Sequence, residues 1–189
     1  GVHEHIKDIC RRLAKAGYYA IAPELFIRQG DVSTISNIPD IQKNVTSKVP
    51  DAQVMSDLDA CVAFAAKNPA VNAQKLAITG FCWGGRITWL YAAYNQRVKA
   101  GAAWYGRLEG NATELMPKYP IDVASQINAP ILGLYGGSDT GISQDSVQRM
   151  VTALNASGKK SKIVVYPDVG HAFNADYRPS YNEAAAKDA

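Results

Sequence analysis

Gly80-Phe81-Cys82-Trp83-Gly84-Gly85 stands between an apolar run, Leu76-Ala77-Ile78-Thr79, and the stretch Ile87-Thr88-Trp89-Leu90-Tyr91-Ala92-Ala93. The first run reads as a strand and the second as a helix, so the six residues between them form a strand–turn–helix junction. A G-x-C-x-G turn in that setting is a nucleophile elbow: the central residue sits in a strained tight turn, and glycines two residues either side let the backbones cross closely. The turn presents the sulfur at the C-terminal end of the strand. There the N-terminal dipole of the helix favours a thiolate, and the N–H of Trp83 is placed to donate to an oxyanion. The alternative is a glycine-rich β-to-α turn in which Cys82 is a small buried residue that fills space.

The chain has 189 residues and is 47% hydrophobic, enough for one domain with a core, so a single domain over 1–189 is expected. Its net charge of +3 comes from scattered lysines and arginines, without the basic stripe or aromatic interleaving of a nucleic-acid binder. Cys10, Cys61 and Cys82 are an odd, widely spaced set with no C-x-x-C pair, which suggests neither a disulfide framework nor a metal site, and fits a reducing, cytoplasmic setting. No run of about 18 apolar residues is present to span a membrane. The expected partner is a small molecule, with no cofactor, and with the chain a monomer or weak homo-oligomer. Because the sequence opens on Gly1 directly into a helix pattern, it reads as a piece without its natural N-terminus.

Ile6, Ile9, Cys10, Leu13 and Ala14 recur at helical spacing across 3–16, with Gly17 as a stop. Tyr18-Tyr19-Ala20-Ile21-Ala22 reads as a short buried strand ended by Pro23. The segment from Glu24 to Pro50 has no sustained period, and a loop of that length is a candidate active-site wall. Val54, Leu58, Cys61, Val62 and Ala65 predict a second helix over 51–67, with Cys10 and Cys61 both structural. Strands are expected over 98–104, 130–136 and 161–166, with a helix over 143–156 capped by Ser143 and a polar connection over 106–128. Strands alternating with helices predict an α/β fold: a mostly parallel sheet with helices on both faces. The tail from Arg178 to Ala189 begins a helix that is cut short.

A thiol nucleophile needs a base in hydrogen-bond reach and a third group to orient that base. Asp139 follows the strand Ile131–Tyr135 in Gly136-Gly137-Ser138-Asp139, and His171 follows Lys162–Tyr166 in Asp168-Val169-Gly170-His171. Both fall beyond strand C-termini, where open α/β sheets place their sites, and the order nucleophile, acid, histidine is that of α/β-hydrolases. Taken singly, Asp139 also reads as a turn aspartate and His171 as an exposed loop histidine. Asp145 competes for the acid role, although a carboxylate in the first turn of a helix is stabilised by the dipole alone.

At Gly-Phe-Cys82-Trp-Gly-Gly, Asp139 and Gly170-His171-Ala172-Phe173, and again at Ala22-Pro23-Glu24-Leu25-Phe26-Ile27-Arg28-Gln29, the chain resembles the dienelactone hydrolase (carboxymethylenebutenolidase) family of α/β-hydrolases along its whole length. The resemblance implies hydrolysis of small lactones or esters by a Cys82–His171–Asp139 triad through an acyl-enzyme, without metal or cofactor. It also implies a carboxylate-holding Arg28; the hydrolase reading adds the oxyanion donor at Trp83 and an expected substrate pocket at Trp104, Tyr105 and Phe173. An ion-paired, loop-anchoring Arg28 and a purely packing role for Trp104 and Tyr105 are the other readings. The family carries a glutamate and a second oxyanion donor just upstream of the glycine matched by Gly1, so the resemblance implies that these and the first strands lie outside the chain. Where the founding enzymes have a second carboxylate-binding arginine this chain has Ala175, and Arg178 is the residue that could take its place. A reactive-thiol protein that senses oxidants or electrophiles without hydrolysis is the alternative function.

Overall fold

A computed structural model describes every residue from Gly1 to Ala189 except Ser36 and Lys159. The described residues gather into two compact units, one of residues 1–73 with 113–117 and one of residues 74–112 with 118–189. No described helix is long and apolar enough to cross a membrane.

The first unit is helical. Helix α1 runs Glu4–Lys15, with Glu4 in its first turn and Arg12 and Lys15 in its last, each complementing the helix dipole. Tyr18–Ala22 is not a strand. A strand needs a neighbour for its N–H and C=O groups, and no described strand pairs with this segment; its side chains are also not buried, Tyr18 being 62% and Tyr19 48% exposed. The aperiodic segment 24–50 contains a helix the pattern does not announce, α2 at Ile38–Asn44. Asn37 caps it by accepting from the Asp40 N–H at 2.8 Å, and Pro39 occupies the opening turn, where its missing N–H costs nothing. Helix α3 spans Asp51–Ala65 and ends two residues before the expected Lys67.

The second unit carries the sheet. Its elements are β1 (Leu76–Phe81), α4 (Trp83–Tyr94), β2 (Val98–Trp104), β3 (Ile131–Gly136), α5 (Gln144–Ala156), β4 (Lys162–Tyr166) and α6 (Glu183–Asp188). The four strands are parallel and lie in sequence order. A 3₁₀ helix, Pro120–Gln126, lies within the expected polar connection and packs on both α4 and α5. Right-handed crossovers between sequential parallel strands carry α4 and α5 to the same side of the sheet. Helix α4 is buried from Gly85 to Ala93 without a polar stripe, as a helix enclosed on all sides must be. Ser143 caps α5, its Oγ accepting from the Ser146 N–H at 3.2 Å.

Close packing, not φ, dictates two glycines at the junction of β1 and α4. A Cβ on Gly80 would sit 2.3 Å from the Gly84 carbonyl oxygen, and one on Gly85 would sit 2.3 Å from the Trp104 carbonyl oxygen. Gly84, the second glycine of the sequence motif, has open space where its Cβ would be. Gly85→Ala should therefore cost stability at or above the roughly 1–3 kcal/mol typical of overpacking, because backbone cannot step aside as a side chain can. Gly84→Ala should leave stability unchanged or raise it by about 0.5–1 kcal/mol through helix propensity. Thermal melts of the two variants check this, and equal melting temperatures would show that the elbow does not depend on that approach.

Candidate active site

The register Phe81↔Trp104↔Leu134 and Gly136↔Tyr166 brings the four strands to a common edge. Backbone pairing continues past it: the Cys82 N–H donates to Trp104 O at 2.9 Å, Tyr105 N–H to Leu134 O at 2.8 Å, and Gly137 N–H to Tyr166 O at 2.7 Å. Parallel pairing thus lines up residues that are far apart in sequence. Three non-glycine residues have positive φ among those described, Cys82 at 56°, Tyr105 at 37° and Ala172 at 62°. All three lie at this edge. A side chain in that region costs on the order of 1–3 kcal/mol, and such strain gathers where geometry is held for a purpose.

His171 Nδ1 lies 2.7 Å from Asp139 Oδ2. Asp139 Oδ1 accepts from the Gly141 N–H at 2.8 Å, and the Ile142 N–H also serves this carboxylate, whose side chain is 1% exposed. An ionised carboxylate only accepts, so Nδ1 carries the proton and Nε2 faces the elbow. The imidazole also acts on the Cys82 sulfur, and each shifts the other's pKa. Asp145 stays in the first turn of α5, as its position predicts.

Electrostatics follow from this chain of contacts. Burial works against a charged Cys82, but the His171 hydrogen bond and charge, the Trp83 N–H directed at the sulfur and the Arg178 charge together draw its pKa below the ordinary thiol value. Burial likewise works against a charged His171, yet its bonds to Asp139 and Cys82 outweigh this and raise it to about 9. The two shifts run in opposite senses and share the Cys82–His171 interaction as a cause. Cys10 and Cys61 move the other way, their thiols pushed up chiefly by burial. Because a depressed pKa keeps more thiolate populated as pH falls through the ordinary thiol range, iodoacetamide should label Cys82 faster than Cys10 and Cys61 there. Peptide mapping by mass spectrometry reads this, and equal labelling of all three would overturn the lowered Cys82 pKa.

Aromatic side chains wall the site. Tyr105 presents its ring edge-on to His171 at 5.0 Å between centroids and to Phe173 at 5.4 Å, while Trp104 lies 5.4 Å from Phe81 and 6.0 Å from Phe173. Phe173 is 0% exposed and stands behind Tyr105. Beneath them runs a buried chain the sequence did not announce: Trp89 Nε1–H donates to Tyr135 Oη at 3.1 Å, and Tyr135 Oη–H donates to Gly106 O at 3.0 Å. It fixes the backbone just beyond Tyr105.

Ala175 is buried, and Arg178 is half-buried with its guanidinium 5.4 Å from the Tyr177 ring centre and no carboxylate in ion-pair reach among the described residues. In the first unit, the exposed Arg28 is engaged by Asp57, beside a Gln29–Gln53 side-chain hydrogen bond of 2.8 Å.

The family model described as "Dienelactone hydrolase family" matches residues 1–189. The chain belongs to the dienelactone hydrolase family. It is 64% identical over 188 residues to a protein of Methylorubrum extorquens and 59% identical over 188 residues to one of Salmonella typhimurium, both provisionally named carboxymethylenebutenolidases. All of the chain is matched, and it spans 65% and 69% of their lengths, about two thirds. A crystal structure from Klebsiella pneumoniae, provisionally titled a dienelactone hydrolase, is 57% identical and superposes with a TM-score of 0.96 over 100% of this chain and 78% of its own. For a dienelactone hydrolase family member, the parallel sheet with its elbow at the end of β1 is the expected α/β-hydrolase architecture.

Proposed function

We propose that the chain hydrolyses small lactones or carboxylic esters through a thioester on Cys82. The observation that carries this is the 2.7 Å His171–Asp139 hydrogen bond beside Cys82, whose thiol the same imidazole draws down, three residues drawn from the ends of three strands. The Cys82 sulfur attacks the carbonyl carbon, and the new oxyanion takes up the Trp83 N–H that serves the sulfur at rest. As the C–O bond breaks, its electron pair leaves on oxygen and a proton passes to it from His171 Nε2. Neutral His171 then accepts a proton from water attacking the thioester, and release of the acid restores the thiolate–imidazolium pair. The names of the relatives support a lactone as substrate. Three unpaired thiols fit work in a reducing compartment such as the cytoplasm.

The lowered pKa of Cys82 equally suits the second reading, a thiol that captures an electrophile or oxidant without turnover. Steady-state assay with a small aryl ester and a lactone separates the two. Many product equivalents per chain support the hydrolase; one equivalent followed by silence overturns it.

Arg178 supplies this proposal with a preference for acidic substrates, since it brings positive charge to the site without a carboxylate of its own. Arg178→Gln should raise KM for an anionic lactone by roughly five- to thirtyfold, the equivalent of about 1–2 kcal/mol at a half-solvated cation, and leave a neutral ester nearly unchanged. Equal effects on both substrates would assign Arg178 to loop structure.

A further inference from the structure

Tyr105 is the first residue after β2, and it holds a left-handed backbone at φ 37° although it is not glycine. It is only 2% exposed, and a tyrosine so buried ordinarily gives its hydroxyl a partner. Tyr135, just below, follows that rule, bonding Trp89 and Gly106. The hydroxyl of Tyr105 makes no hydrogen bond among the described residues, and its oxygen is not sealed from solvent. Its ring lies against the His171 imidazole, and its phenol senses the charges of Cys82 and Arg178. An unengaged donor has thus been fixed, against backbone strain, beside the group that passes protons to the substrate.

We propose that Tyr105 is a further catalytic residue, its phenol donating a hydrogen bond to the oxygen that leaves when Cys82 is acylated. The inference rests on the hydrolase reading and adds a donor to it. In the acylation step the Sγ–C bond forms and the C–O bond breaks; the departing oxygen receives its electron pair, takes its proton from His171, and is held by Tyr105 Oη–H, which keeps its own. Burial first, and then the nearby thiolate, push the phenol's pKa well above the ordinary tyrosine value. It therefore stays a donor throughout the working pH range and never competes with His171 as a base. Packing against Trp104 and Phe173 limits the freedom of the ring, so the hydroxyl is preorganised.

The test uses Tyr105→Phe, which retains the ring and removes the oxygen, with aryl esters whose leaving phenols rise in pKa. Single-turnover release of the phenol is measured, because it requires acylation of Cys82 but not turnover. The expected result is a loss of roughly ten- to hundredfold with the poorest leaving group, the size of one hydrogen bond to developing charge, shrinking toward none with a nitrophenol. The iodoacetamide labelling rate of Cys82 and the melting temperature should match the wild type, which shows that the elbow is intact. A loss of the same factor across the series, no loss at all, a changed labelling rate, or no phenol release by the wild type would each overturn the proposal. Wild-type protein that releases one phenol and stops would sink the hydrolase reading while leaving the leaving-group comparison decisive for Tyr105.

Discussion

Cys82→Ala should abolish both phenol release and turnover, a loss of roughly 10⁴-fold or more, as when a triad nucleophile is removed elsewhere. The substitution keeps the Cβ and so the same strain at φ 56°, and it removes a charge whose burial was itself unfavourable. Stability should accordingly change by no more than about 1 kcal/mol, within the ordinary range for point substitutions. Rate and melting temperature measured on the same preparation check this. Retained turnover would sink the nucleophile assignment outright. Lost turnover with a collapsed melting temperature would assign Cys82 to the fold.

Asp139→Asn should lower kcat/KM by about 10²- to 10⁴-fold, the cost of presenting the wrong tautomer. The introduced asparagine would still fill the buried space and accept from Gly141, but its amide offers N–H toward His171 Nδ1. Nδ1 then becomes the acceptor and the proton moves to Nε2, where it blocks removal of a proton from water. Loss of the carboxylate also withdraws the leading support for the imidazolium, so the histidine's pKa should fall from about 9. NMR titration of the His171 ring reads that shift independently of rate. An unchanged rate would pass the acid role to Asp145.

Much of this arrangement is legible in the chain because β-strand ends are punctuated by turn residues. Gly80-Phe81-Cys82, Gly136-Gly137-Ser138-Asp139 and Gly170-His171 mark where β1, β3 and the segment after β4 deliver side chains, and the structure brings these residues together. Tyr18–Ala22 misled because composition alone cannot supply a neighbouring strand, and α2 was hidden because Pro39 breaks a helix interior but suits its first turn. The motif's Gly80 and Gly84 do cross closely, a Cβ on Gly80 meeting the Gly84 carbonyl oxygen, but the approach of Gly85 to Trp104 is set by how β2 and α4 meet in space. No local pattern reports the bonds from Trp89 through Tyr135 to Gly106, which join residues 46 and 29 positions apart.

Parallel strands in sequence order bring Cys82, Asp139 and His171 to one end of the sheet, and the opposite end, where each strand begins, holds none of the three. The chain can therefore be cut at one edge and not at the other. New termini opened at Asn95–Arg97, the short link entering β2, would interrupt local bonds such as Arg97 N–H to Asn95 Oδ1. New termini between Gly137 and Ile142, or between Asp168 and Ala175, would release the acid or the base from the backbone that aims it. Circular permutants of this fold should accordingly divide by strand polarity, and insertions meant to carry a reporter belong in the link before β2.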